Sequence, residues 1–440
     1  MNKHLTRRNF LVSSAAATAT FWISGCASKT GGLREEPVSQ GRKLSPNEKL
    51  NIGMVGTAAQ AGWNLSQVAS QNIVALCDID DKFLDAAVQK YPGAKKYNDF
   101  RLMLERSDLD AVVIGTPDHT HAVATVAALK SGRHVYCEKP LTHTISECRI
   151  VRETARQHKR VTQLGTQIHA GNNYRRVVEL IQTGAIGPVR EVHTWVGASY
   201  GGKQRPKETP PVPPNLHYDL WLGPVEERPY SPEYLPFAWR NWWAFGGGAL
   251  ADFGCHHMDL PHWALELRAP LSAEAEGPPV DPECPPVWLI VRYEYPARGK
   301  KPPVKLTWYH GGKRPPQLAE GKVPKWGDGN LFVGEKGMLL ASYDKHMLLP
   351  EADFADFKRP DPFIPNSIGH HKEWIEACKT GGPTTCNFDY SGALTEAALL
   401  GNVAFRAGKK IHWDAARLKA KNCPEADEFI QHHYRAGWRL

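Results

Sequence analysis

Two hydrophobic–polar regimes divide this chain. Up to residue 165, short apolar runs recur with amphipathic stretches between them. The runs cover 52–55, 73–77, 110–116, 134–137 and 161–165. Brief apolar runs bounded by turn residues predict buried parallel strands. The stretches between them predict helices over 59–69, 81–90, 145–158 and a fourth ending near Leu129, where Gly132 closes it. Asn98-Asp99 predicts the cap of a short helix through Leu104. Strands alternating with helices predict a doubly wound parallel sheet covered on both faces, the Rossmann arrangement.

After residue 165 the pattern changes. Residues 174–183 predict a helix with charges on one face, and 189–196 alternate like a half-buried strand. Residues 201–240 are rich in proline and aromatics and are too long for a plain connection, so they predict a substrate-side loop. Gly246-Gly247-Gly248 leads into a helix expected over 251–265. Strands are expected near 287–295, 304–310, 331–333 and 337–341, and helices at 369–379 and 389–407. The last thirty residues look irregular. This half predicts an α/β domain with a large open, mostly antiparallel sheet and helices on one face. The expected division is therefore a signal and tether over 1–46, a dinucleotide-binding domain over 47–168, and a substrate-binding and oligomerisation domain over 169–440.

The length of 440 residues agrees with more than one core. The formal charge of +8 is modest, and no basic stripe with interleaved aromatics appears, which argues against nucleic acid as a partner. Fourteen each of Trp, Tyr and Phe supply flat rings that suit a carbohydrate surface as well as a core. None of the nine cysteines forms a C-x-x-C, so buried thiols are expected. The N-terminus reads as an address. Thr6-Arg7-Arg8-Asn9-Phe10-Leu11 is a twin-arginine pattern, and Ile23-Ser24-Gly25-Cys26 looks like a lipobox with Cys26 lipidated. These imply a bacterial lipoprotein exported already folded to the periplasm or cell envelope, touching the membrane only through its anchor. A nicotinamide carried there would be tightly held and restored within each cycle.

The first strand, turn and helix carry the candidate chemistry. Gly56-Thr57-Ala58 follows an apolar run, and Ala61 stands where the third small residue of a G-x-G-x-x-G/A fingerprint belongs. Asp78 ends the next strand, where a carboxylate accepts hydrogen bonds from a ribose diol and repels a 2′-phosphate, favouring NAD over NADP. Ala58 departs from the fingerprint's second glycine, and an ordinary βαβ unit without nucleotide shares much of this pattern. Polar residues cluster at later strand ends, in Thr116-Pro117-Asp118-His119-Thr120-His121 and Glu138-Lys139-Pro140. Asp252 and His256 share one face of a helix turn. Oxidising an alcohol needs a proton acceptor, and His256 or Lys139 suits that task, with Asp252 orienting either. A helix cap or a structural ion pair accounts equally for each of these residues alone.

Those motifs together resemble the glucose–fructose oxidoreductase / inositol dehydrogenase / rhizopine-catabolism family. The matching stretches are Ala75 to Asp80, Thr116 to His121, Glu138-Lys139-Pro140 and Gly247 to His256. The resemblance implies Lys139, Asp252 and His256 as catalytic residues, NAD as cofactor and a homodimer or homotetramer. Gly56, Thr57, Ala58, Ala61, Asp78, Thr116, Pro117, His119, His121, Glu138, Lys139 and Gln167 are the candidates for cofactor binding. His169, Tyr174, Arg175, Trp239, Arg240 and Trp242 are the candidates for substrate binding. No metal site is expected, because no standard ligand spacing occurs. Three functions compete: an exported carbohydrate or polyol oxidoreductase, an NAD-dependent glycoside hydrolase that oxidises C3 transiently, eliminates, adds water and re-reduces, and a non-catalytic sugar-binding lipoprotein.

Overall fold

The structure is a computed structural model that describes residue 45 and residues 47–440. The twin-arginine segment, the lipobox with Cys26 and nearly all of the tether lie outside the described residues. The first half contains β1 (Asn51–Val55), α1 (Ala59–Val68), β2 (Asn72–Cys77), α2 (Asp81–Lys90), β3 (Lys95–Tyr97) and α3 (Phe100–Leu104). It continues through β4 (Ala111–Ile114), α4 (Asp118–Lys130), β5 (His134–Cys137), α5 (Ile145–His158) and β6 (Thr162–Leu164). The six strands are parallel in the order β3-β2-β1-β4-β5-β6. The order reverses between β1 and β4, the switch point beside which such sheets bind ligands.

Local chemistry explains these elements. β4 is buried at every position, as a parallel strand covered on both faces must be. Asp80 and Asp99 cap α2 and α3 by accepting the amides of Lys82 and Arg101. α5 opens on a capping box in which Thr144 accepts the Glu147 amide and Glu147 reaches back to the Thr144 amide.

The second half begins with α6 (Asn172–Gln182), β7 (Val189–Trp195) and α7 (Tyr218–Leu222). α8 (Gly248–His257) and α9 (Asp259–Leu265) follow, then β8 (Ser272–Glu276), β9 (Leu289–Tyr295), β10 (Val304–His310) and α10 (Pro316–Ala319). β11 (Gly329–Gly334), β12 (Gly337–Ala341) and β13 (His346–Leu349) precede α11 (His370–Thr380) and α12 (Phe388–Ala407), and β14 (Ile411–Asp414), β15 (Lys419–Ala420) and α13 (Asp427–Ile430) end the chain. The sheet order is β13-β12-β11-β7-β10-β9-β8-β14-β15, antiparallel except for the β7–β10 pair. β9 shows why: Leu289, Val291, Tyr293 and Tyr295 point inward while Arg292 points out.

Several expectations need correction. The helix expected over 251–265 is two helices broken at Met258, because Pro261 has no amide to donate and would crowd the carbonyl four residues back. β3, β8 and β13 were not anticipated, and the C-terminal thirty residues hold two short strands and a helix. The domains also interleave. Trp374, Ile375 and Cys378 of α11 and Phe388 of α12 pack into the cores of the parallel-sheet half. The chain returns along the β6 edge, where the Leu164 amide bonds the Cys386 carbonyl at 2.9 Å and Thr384 Oγ1 donates to the Thr162 carbonyl at 2.6 Å. The eight described cysteines are buried free thiols. Among the described residues no helix is long and apolar enough to cross a membrane.

Candidate functional site

The turn between β1 and α1 has the shape of a phosphate cradle. Gly56 adopts φ +92°, and a Cβ there would lie 3.0 Å from the Gly115 carbonyl and 3.1 Å from the Ala61 methyl. Ala61 therefore packs helix to sheet and lines no ligand space. Ala58 is extended, at φ −115° and ψ 171°, and its side chain caps nothing, so the first amides of α1 stay free of side-chain acceptors. Free amides at a helix start suit a pyrophosphate. The Thr57 amide is not among them: with its hydroxyl it donates to Asp78 Oδ2, both at 2.8 Å. Asp78 Oδ1 accepts the Asp80 amide at 3.0 Å. Burial pushes the Asp78 carboxyl up, against the pull of these hydrogen bonds. The turn and the half-buried carboxylate at the end of β2 fit an adenine dinucleotide.

At the end of β5 the two halves meet. Lys139 Nζ donates to Asp252 Oδ1 at 2.5 Å and to the Asp252 carbonyl at 3.0 Å. Arg240 Nε approaches Asp252 Oδ2 at 3.3 Å. Burial raises the Asp252 carboxyl, but Lys139 and Arg240 outweigh it and hold it at about 2. His256 lies one turn further along α8, and burial together with Lys139 holds its imidazole well below the usual range, so it is neutral at pH 7. Its Nδ1 is buried without a partner. Asp118, the first residue of α4, belongs to the same group. It is 3 % exposed, accepts a backbone hydrogen bond from Gly247, and is pushed up to about 8 by burial, with Arg240 opposing and Asp252 adding. It stands in the Thr116–His121 motif, and its position at the helix start was the available signal.

The remaining candidates divide. His119 was expected at the cofactor, but its Nε2 and Nδ1 face the carbonyls of Trp221 at 2.8 Å and Phe245 at 3.4 Å. His121 likewise bridges the carbonyls of Pro140 at 2.7 Å and Thr116 at 2.8 Å. Both are buried anchors. The Thr116 hydroxyl is taken by Thr120 at 2.7 Å, and Pro117 precedes α4 as its cap residue. Glu138 Oε1 accepts Gln60, Asn64 and Gln167, the last at 2.7 Å, so Glu138 and Gln167 brace the site behind Lys139.

Two expected substrate contacts are core residues instead. Tyr174 is fully buried with its hydroxyl on the His256 carbonyl at 3.2 Å. Trp242 is 1 % exposed and donates to the Glu233 carbonyl at 2.9 Å. Trp239 is also buried; Gly246 lies flat against its ring, and Arg240 lies 4.1 Å from the ring centre. Arg175 is buried beside the Trp263 ring with its Nε unpartnered. His169 stacks on Trp263 and faces Asp259. No metal was expected, yet ligand atoms of His169, Asp259 and Cys386 lie within 4.8 Å of one another. His169 Nδ1 and the Asp259 carboxylate hydrogen-bond each other there.

Comparison with known proteins agrees with this geometry. Residues 50–166 match the model of an oxidoreductase family's NAD-binding Rossmann fold, and residues 180–301 match that family's C-terminal alpha/beta domain. The chain is 32% identical over 168 residues to the inositol 2-dehydrogenase of Salmonella typhimurium, covering 37% of this chain and 49% of that protein. It is 26% identical over 202 residues to the alpha-N-acetylgalactosaminidase of Shewanella oneidensis, covering 42% and 44%. The chain thus spans about half the length of the curated relatives it matches. In fold it is similar to the WlbA dehydrogenase of Bordetella pertussis, solved with NADH and UDP-GlcNAcA, at a TM-score of 0.59, 17% identity, and coverage of 83% and 99%. The aldose–aldose oxidoreductase of Caulobacter crescentus, solved with glycerol, gives 0.54, 18%, 83% and 100%. The two family models together cover more than half of the chain, which belongs to the glucose–fructose oxidoreductase / inositol dehydrogenase / rhizopine-catabolism family of oxidoreductases with an NAD-binding Rossmann domain.

Proposed function

We propose, from that membership, that the protein oxidises or transiently oxidises a secondary hydroxyl of a sugar or polyol. The observation that carries this reading is the Lys139–Asp252 pair, which joins the end of β5 to α8 beside the nucleotide cradle. NAD, held by the Gly56 turn, the start of α1 and Asp78, would supply a reversible two-electron acceptor. Lys139 is the group placed to exchange the hydroxyl proton. Asp252 orients it, and Arg240 helps keep Asp252 ionised. Neutral His256 offers a second hydrogen-bonding position on the same helix face.

Glycoside cleavage without net redox change is the second reading, favoured by the likeness to the Shewanella glycosidase. The twin-arginine and lipobox patterns favour it too, since a cofactor restored in each cycle suits a compartment without free NAD. On this account the protein is a lipid-anchored envelope enzyme with captive NAD, working as a homodimer or homotetramer.

The test starts from purified full-length protein. Denaturation should release NAD in about one-to-one amount. The protein is then offered myo-inositol with a keto-sugar acceptor, and 4-nitrophenyl α-N-acetylgalactosaminide without added NAD, in deuterated water. Nitrophenol release with deuterium at C2 supports hydrolysis, whereas inositol loss only with the acceptor supports coupled redox. A protein that never binds NAD would end both readings and leave a sugar-binding lipoprotein.

A further inference from the structure

A second proton-handling group stands beside the first. The short 3-10 turn Gln167–Ala170 carries His169, which is 2 % exposed. Its Nδ1 faces both oxygens of Asp259, at 3.0 Å and 2.9 Å. A carboxylate only accepts, so Nδ1 must donate, and the proton-accepting nitrogen of the neutral ring is Nε2. Asp259 is fully buried and is itself fixed by the Tyr390 hydroxyl, which donates to Oδ1 at 2.6 Å. The imidazole lies flat on Trp263, with centroids 3.9 Å apart and planes at 13°. Tautomer and ring plane are therefore set by buried Asp259 and half-buried Trp263. Nε2 itself makes no hydrogen bond among the described residues.

The turn that carries His169 is tied to the Lys139 site. Gln167, which starts the turn, donates to Glu138, the neighbour of Lys139. Asp252, His256 and Asp259 follow one another at helical spacing along one face of α8 and α9, and Met258 between the helices keeps near-helical angles. A ring held on one nitrogen by a buried carboxylate and free on the other is built to take a proton and give it back.

We propose that His169 is a second proton-transfer residue of this crevice, acting through Nε2 on a sugar oxygen or carbon acid, with Asp259 and Tyr390 as its positioning residues. This rests on the sugar-oxidoreductase reading above. In the step, the substrate proton moves to Nε2 and its bonding electron pair stays on the substrate atom. The imidazolium is stabilised by Asp259, and the proton then returns to a substrate oxygen, leaving the ring neutral again.

The experiment has two arms on the full chain. In the first, protein labelled with 15N-histidine is titrated, and His169 is identified by the signal lost in His169→Gln. The expected result is an Nδ1–H tautomer whose Nδ1 proton resonance moves upfield in Asp259→Asn, as a hydrogen bond to a carboxylate gives way to one to a neutral amide. A ring protonated on Nε2, or an Nδ1 proton resonance unmoved by Asp259→Asn, overturns the dyad. In the second, turnover of 4-nitrophenyl α-N-acetylgalactosaminide and of myo-inositol is measured. His169→Gln should lower kcat by about a hundredfold or more, with KM within about twofold and bound NAD intact. Asp259→Asn should lower kcat less and displace the pH profile, and Tyr390→Phe should do so more weakly still. Unchanged kcat in His169→Gln overturns the proposal. A parent protein that binds NAD but turns over neither probe counts against the sugar reading alone, since the first arm still decides the dyad.

Discussion

At the scale of single residues, the site is governed by charges held out of water. Lys139 and Arg240 flank Asp252, so removing Lys139 takes from the carboxylate its closest cation and from the site its amine. Lys139→Ala should lower turnover by about a hundredfold to ten-thousandfold, while NAD recovered on denaturation stays near parental, because the Gly56 cradle is untouched. Asp118 gives a prediction of the opposite kind. Its carboxyl is pushed up to about 8 by burial, while the unfolded chain ionises it near 3.8. The folded state therefore holds a proton that the unfolded state has released across that interval. Its contribution to stability is complete below 3.8 and declines as pH rises through about 8. In Asp118→Asn the thermal midpoint should fall less between about pH 5 and pH 8 than in the parent, and equal slopes would contradict the assignment. Asp252 works in the other direction, since its lowered value gives stability that is present above 3.8 and lost as pH falls through about 2. The meeting of Lys139 with Asp252, and His256 one turn on, was legible because their motifs stand at the ends of obvious elements. The roles of His119, His121, Tyr174 and Trp242 were not, because whether a polar side chain meets ligand or a distant carbonyl depends on contacts such as His119 with Trp221 that no local pattern records.

At the scale of elements, the nucleotide turn depends on how closely α1 approaches the sheet. Gly115 follows β4, and a Cβ on it would lie 2.7 Å from the Ala61 Cβ and 3.0 Å from its Cα, both rigidly held by the helix. Gly115→Ala should cost about 1–3 kcal/mol through overpacking, and by tilting the first turn of α1 it should weaken NAD retention. Calorimetry and cofactor content measured together would check both, and a variant with parental values for each would contradict this packing. The βαβ pattern of β1, α1 and β2 was readable because a parallel strand covered on both faces must be apolar throughout. β8 was not, since its Glu274 and Glu276 belong to a strand whose outer face meets solvent. The break at Met258 was readable in principle from Pro261, but the apolar periodicity continues through it and masks the missing amide.

At the scale of the whole molecule, the chain does not divide where its patterns divide. The parallel sheet ends at β6, whose far edge would be an open template for pairing. Residues 384–388 close that edge: the Cys386 carbonyl accepts the Leu164 amide, and the Phe388 amide donates to Thr162 Oγ1 at 3.0 Å. Behind it, Trp374 of α11 is fully buried against Tyr136 of β5, with ring centres 5.8 Å apart. A core that borrows its covering helix from the far end of the chain is not complete without it. Residues 45–168 expressed alone should therefore keep helical circular dichroism yet lose fixed tertiary packing and bind a hydrophobic dye. Joining 369–408 to that fragment through a flexible linker should restore packing. In the full chain, Trp374→Ala should cost about 3–5 kcal/mol and lower the unfolding temperature of both sheets together, as one transition. Two separated transitions, or a well-packed 45–168 fragment, would mean that the returning helices decorate an independent domain, and Lys139 and Asp252 would then owe their meeting to docking rather than to a shared core.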